Sequence, residues 1–183
     1  MEPRNGHAVC PQCGRAGDPA ALRPLFIVTG ASGSGKSAVL APLARRLQGR
    51  CVTFDADLLM DAAGPLGDSR WLSIARSVAQ SGMPTVLLGP FIPGHLQELP
   101  ARRWISDIHV IALDCPDEMR RTRINARPAW RSRDIEEQVE FGRWLRRTIA
   151  DRIDTSGETP EQTAAAIAAW IDRHLVDTKQ TVK

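Results

Sequence analysis

The sequence predicts an α/β fold, a parallel sheet with helices on both faces. Three observations predict it. Apolar β-type runs alternate with helical patterns from residue 25 to residue 175, the sign of strand–helix–strand units. The stretch Gly30-Ala31-Ser32-Gly33-Ser34-Gly35-Lys36-Ser37 fits G-x-x-x-x-G-K-[ST], a phosphate-binding loop that joins a strand to a helix. Two carboxylates, Asp55 and Asp57, stand where the second apolar run ends, and ligands bind at that edge of an open α/β sheet.

Residues 1–24 read as an appendage, rich in Pro, Gly and Arg and without a period of 2 or 3.6. Within it Cys10-Pro11-Gln12-Cys13-Gly14 forms a zinc-knuckle-like half-site, and His7 precedes it. Structural Zn²⁺ takes four ligands, and no second C-x-x-C follows to complete the set. For zinc on Cys10 and Cys13 the candidates for the fourth ligand are Cys51 and Cys115, or a site shared with a second copy of the chain in a homodimer. A redox pair and a flexible tail with incidental thiols are the other readings. Cys51 and Cys115 adjoin predicted strands and read as small core residues.

The first strand is Leu25-Phe26-Ile27-Val28-Thr29, and a helix follows from about Gly35 to Gln48, with Pro42 as a candidate kink and Gly49 as its stop. Cys51-Val52-Thr53-Phe54 is the second strand. Asp61 to Asp68, with two glycines and a proline, reads as a loop, and a helix runs from about Ser69 to Gln80 with Trp71, Ile74, Ala75 and Val78 on one face. Thr85-Val86-Leu87-Leu88 is a continuous apolar run suited to burial on both faces. A loop over 89–95 and a weak helical piece over 96–104 lead to the fourth strand, Ile108 to Leu113, with Asp114 read as a turn or cap residue.

The chain turns helical again from Asp117 to Ile124, and Asn125 to Arg133 reads as a mobile, arginine-rich loop. Asp134 caps a long helix, with Glu137 at the capping-box position. Ile153-Asp154-Thr155 is a short last strand. Thr159-Pro160-Glu161-Gln162 opens a last helix that runs to about His174. The expected division is an appendage (1–24), one domain (25–176) and a polar tail (177–183).

The loop residues carry the chemistry. Glycines let the backbone curl until several N–H groups face one anion, and the helix start behind them adds partial positive charge. Gly30, Ser32, Gly33, Ser34, Gly35, Lys36, Ser37 and Ala38 are the candidate nucleotide contacts; Lys36 would reach the β- and γ-phosphates and Ser37 would hold Mg²⁺. Lysine occurs only at 36, 179 and 183, so Lys36 is the one lysine of the domain. At a carboxyl strand edge, one carboxylate can orient a hydroxyl and take its proton while its neighbour holds a Mg²⁺-bound water. Asp57 and Asp55 are the candidates for those two roles.

Composition narrows the function. The net charge of +3 is too small to mark a nucleic-acid binder. No apolar run is long enough to span a membrane and no signal-peptide pattern is present, and the cysteine usage suits a reducing compartment. The expected location is the cytoplasm.

The loop, the strand ending Phe54-Asp55-Ala56-Asp57, the glycine-bearing strand end at Gly89 and the arginine-rich lid together resemble the small P-loop kinases. Shikimate kinases, gluconate kinases and chloramphenicol phosphotransferases, with nucleoside and nucleotide kinases beside them, are the group concerned. The resemblance implies the P-loop NTPase fold with a five-stranded parallel sheet in the order 2-3-1-4-5. It implies ATP as donor, Asp57 as base toward an acceptor hydroxyl, Asp55 near Mg²⁺, and lid arginines over the phosphates. Arg127 and Arg131 are the arginines it points to there, Arg120 or Arg121 beside adenine, and Thr155 to Pro160 around adenine. Gly89 departs from P-loop proteins that carry an acid at that strand end, which counts against a motor ATPase. No Asn-Lys-x-Asp base-specificity motif of GTPases occurs either. His95 and Phe91 follow the third strand and are acceptor-side candidates. Trp71 and Trp130 are candidates for stacking on a ring or for packing.

The reading is a kinase for a hydroxyl on a small molecule: a nucleoside, a sugar acid or an antibiotic. Two alternatives stay open: a nucleotide-dependent regulatory or ATPase module, with the knuckle docking a partner, and a polynucleotide 5′-hydroxyl kinase. The modest charge and the lack of an aromatic–basic groove pattern weigh against the last.

Overall fold

The computed structural model describes residues 2–4, 7–9, 12–14, 16–19, 22–57, 65–128 and 134–180. The chain opens with β1 (Glu2–Arg4), β2 (His7–Val9) and β3 (Ala16–Pro19), a small antiparallel sheet. Strands this short place only one or two residues on each face, so no period is readable where the structure has strands. Cys13 is exposed in the turn before β3, and Cys10 lies outside the described residues.

The larger sheet starts with β4 (Arg23–Thr29), followed by α1 (Lys36–Arg46), β5 (Val52–Asp55), α2 (Pro65–Ala79) and β6 (Thr85–Gly89). Next come α3 (Pro93–Glu98), a 3₁₀ turn (Pro100–Trp104), β7 (Ile105–Asp114), α4 (Asp117–Asn125), α5 (Ile135–Thr148), β8 (Arg152–Asp154) and α6 (Pro160–Gln180). The five strands are all parallel, in the order β5-β6-β4-β7-β8. Counted from β4, that is 2-3-1-4-5.

The central strand β4 is buried from Pro24 onward, as its continuous apolar sequence requires. Alternation along it sends Phe26 and Val28 to one face, with Leu43, Val86, Leu88, Ile111, Ile167 and Ile171. Leu25 and Ile27 go to the other face, with Leu72, Leu87, Leu96 and Ile105. Cys51 and Cys115 are buried, as expected of small core residues. Trp71 is buried too and packs against Phe54 at a ring distance of 5.7 Å.

Several boundaries differ from the sequence reading. α2 starts at Pro65 rather than Ser69, since proline suits the first turn of a helix. α1 continues through Pro42 as one helix. α6 reaches Gln180, beyond the expected end near His174. The helix caps are as expected. Asp134 Oδ1 accepts from the Glu137 N–H at 3.0 Å, while Thr159 and Gln162 exchange side-chain and backbone hydrogen bonds of 2.8 and 3.2 Å.

One glycine decides how the carboxyl edge closes. A Cβ on Gly89 would lie 2.5 Å from the Ala56 Cβ and 2.9 Å from the Phe91 ring. The end of β6 therefore has room for the Asp55-Ala56-Asp57 turn only because it carries no side chain. This is the physical reason why no acid stands there. Gly89→Ala is expected to cost about 1–3 kcal/mol through overpacking, read as a lower urea midpoint with an unchanged slope.

Candidate active site

The phosphate loop leaves the carboxyl end of β4 and enters α1. Gly33 and Gly35 have φ of +82° and +97°, values that other residues rarely adopt. The Ser34 N–H closes a turn onto the Ala31 carbonyl at 3.2 Å. Lys36 donates from Nζ to the Gly30 carbonyl and, at 3.1 Å, to the Ala31 carbonyl. Burial lowers its ammonium from the ordinary lysine value to about 8; Asp57 and Asp55 pull it up, while Arg120 and Arg127 push it down. Lys36 thus senses both carboxylates of the strand end and two arginines of the opposite side.

Asp55 closes β5, and the Asp57 N–H donates to its Oδ1 at 3.0 Å. That bond directs the Asp55 carboxylate into the turn and leaves Asp57 exposed. Ser37 and Ala38 are exposed in the first turn of α1.

Beside the loop lies a cavity of about 410 Å³, lined by Gly33, Gly35, Ser37, Ala38, Arg123, Arg127, Thr155, Glu158, Pro160 and Thr163 among others. It brings together much of what the sequence pointed to: the loop, Arg127, Thr155 and Pro160. Thr155 is a brace as well as a wall. Its hydroxyl lies 3.1 Å from the Ser34 carbonyl and 3.0 Å from the Asp114 carbonyl, and its N–H donates to the Asp114 carbonyl at 2.9 Å.

Arg121, expected near a base, is elsewhere. It makes a two-pronged ion pair with Glu136 at 2.8–2.9 Å and another with Glu118 at 2.6 Å, joining α4 to α5. Arg123 takes the place by the cavity, donating to the Gly33 carbonyl (3.2 Å), the Thr155 hydroxyl (3.0 Å) and the Thr155 carbonyl (2.9 Å). Arg120, the other candidate there, is wholly buried. It donates to Asp114 Oδ1 at 2.7 Å and to the Ser32 carbonyl at 3.1 Å. Asp114 is therefore more than a turn residue: it also binds Arg146, through Nε at 2.6 Å. A Cβ on Gly142 would sit 2.8 Å from the Arg120 guanidinium carbon, so α5 needs glycine there for Arg120 to lie flat.

Arg131, Arg133 and Trp130 lie outside the described residues. His95 is exposed on α3; burial raises the Asp68 carboxyl, and His95 only lessens that rise. Among the described residues no group of three His, Cys, Asp or Glu side chains could hold a metal by itself. Sequence reasoning missed Arg123, Gln138 and Gly142. Arg123 shares the helix face of Arg120, a periodic signal that was available. Gln138 is a polar residue on the buried stripe of α5, with Gly142 and Leu145.

A family described as AAA domain matches residues 27–144. The chain belongs to this family. The AAA-domain match runs from β4 through the phosphate loop to α5. A comparison with curated proteins finds no match. Solved structures do resemble the chain. The tunicamycin resistance protein of Deinococcus radiodurans is 20% identical with a TM-score of 0.63, over 81% of this chain and 95% of its own. A sugar kinase from Janibacter sp. gives 20% and 0.59, over 82% and 95%. Shikimate kinase from Acinetobacter baumannii, solved with shikimate, gives 21% and 0.52, over 85% and 96%. These proteins share the fold of this AAA-domain chain. Among the described residues no helix is long and apolar enough to cross a membrane.

Two outcomes follow from the charges. Asp114→Ala strands the buried Arg120 without its carboxylate and is expected to lower stability by about 3–5 kcal/mol in urea unfolding. The Lys36 ammonium is present below about pH 8 and lost above it. Affinity for ATP, used as the probe anion, is expected to fall by up to about tenfold per pH unit from about pH 8 to about pH 10 in calorimetric titration. Lys36→Arg, charged throughout that range, is expected to flatten the profile.

Proposed function

We propose that the protein is an ATP-dependent phosphotransferase that moves the γ-phosphate to a hydroxyl of a small molecule. The observation that carries this reading is the electrostatic reach between two loops. Asp57 and Asp55, carried out of β5, act on the ammonium of Lys36 inside the phosphate loop. An exposed carboxylate within electrostatic range of the phosphate-binding lysine supports the reading of Asp57 as the proton acceptor.

The step uses these residues as follows. The N–H groups of the loop and Lys36 hold the β- and γ-phosphates. The acceptor oxygen forms its bond to the γ-phosphorus as the bond from that phosphorus to the β-bridging oxygen breaks, leaving ADP. Asp57 takes the hydroxyl proton. Arg127, which lines the cavity and lies close enough to Lys36 to lower its pKa, offsets charge on the transferred group. The nucleoside would occupy the cavity between Arg123, Thr155 and Pro160. Ser37 and Asp55 are hard oxygen donors that fit Mg²⁺, with phosphate and water completing its shell. The ion would neutralise phosphate charge.

The fold relatives include a sugar kinase and a shikimate kinase, which supports a small hydroxyl compound as acceptor. A panel of sugars, sugar acids, nucleosides and hydroxylated antibiotics, screened for ADP release, tests the reading. Asp57→Asn is expected to keep ATP affinity within about threefold and to lower acceptor-dependent ADP release by about 10²–10⁴-fold. Unchanged turnover in that variant would remove Asp57 from the chemistry.

A further inference from the structure

The backbone of Ser32, third residue of the phosphate loop, is held at both ends by the helices that flank the lid. On one side its carbonyl accepts from Arg120 of α4 at 3.1 Å. On the other its N–H donates to Oε1 of Gln138 of α5 at 2.9 Å. α4 ends at Asn125 and α5 begins at Ile135, so the two attachments come from consecutive helices. The triangle is closed by Arg120 lying against α5 at Gly142.

Gln138 is 9% exposed and shares its stripe with Gly142 and Leu145. An apolar side chain would suit that stripe better, because a buried amide costs free energy unless it is hydrogen-bonded. Its bond goes to the phosphate loop. It also occupies the Ser32 N–H, at the residue just before the positive-φ Gly33.

Resting on the kinase reading above, we propose that Gln138 is a positioning residue. By holding the Ser32 N–H, it sets the turn that aims the following N–H groups at the phosphates. By the same bond it ties the first turns of α5 to occupancy of the loop. Arg120 fixes the other end of the residue, so the loop and both lid helices move as one body.

Hydrogen exchange on the full chain tests this, with Gln138→Met to remove the acceptor at nearly constant volume and Gln138→Glu to retain it. In the free protein the Ser32 amide is expected to exchange about tenfold faster in the Met variant, the factor for one lost hydrogen bond of ordinary net strength, and near the wild-type rate in the Glu variant. On adding ATP with Mg²⁺, residues 134–141 are expected to gain protection in the wild type and the Glu variant. In the Met variant ATP is expected to bind about tenfold more weakly, and saturating ATP to leave that segment unprotected. A merely structural glutamine would lower the unfolding midpoint of the Met variant and leave the ATP-dependent protection intact. Wild-type exchange at Ser32, or wild-type protection of 134–141, in the Met variant overturns the proposal while ATP binding stands. A wild-type protein that binds no ATP overturns the kinase reading, and the positioning role with it.

Discussion

A guanidinium with no access to water lies beneath the phosphate loop. Burying a cation costs several kcal/mol unless a carboxylate and further acceptors offset it, and Arg120 has both, in Asp114 and the Ser32 carbonyl. Three elements meet at this one side chain: β7 supplies Asp114, α4 the arginine, and α5 the bare face at Gly142. Arg146 reaches the same carboxylate from α5. That pairing adds to the ties that Arg123 of α4 and Gln138 of α5 make to the loop backbone.

The fold was legible because burial leaves a period. The run from Leu25 to Thr29 is apolar throughout since it lies mid-sheet, and α5 shows its stripe since only one side is covered. The phosphate loop was legible because few other sequences satisfy its backbone. The arginines were harder. In a chain with so many, residue type says little, and what separates Arg123 from Arg121 is rotation about α4. One faces the loop and the other faces Glu136. Gln138 left no trace, since one polar residue in an apolar stripe also fits a solvent-facing slip in the pattern.

The carboxyl edge of the sheet shows a steric choice made at Gly89. Two side chains, from Ala56 and Phe91, occupy the space that an acid on β6 would need. The carboxylates at this edge stand on the neighbouring strand, where Asp55 anchors the turn and Asp57 stays open to solvent.

The scarcity of lysine has a practical side. Lys36 carries the sole side-chain amine before residue 179, and burial leaves much of it uncharged in mildly alkaline buffer. An acylating label small enough to enter the loop would therefore mark a defined spot there, far along the chain from Lys179 near the end of α6. How far nucleotide shields that spot from the label would report occupancy directly, with no acceptor in hand.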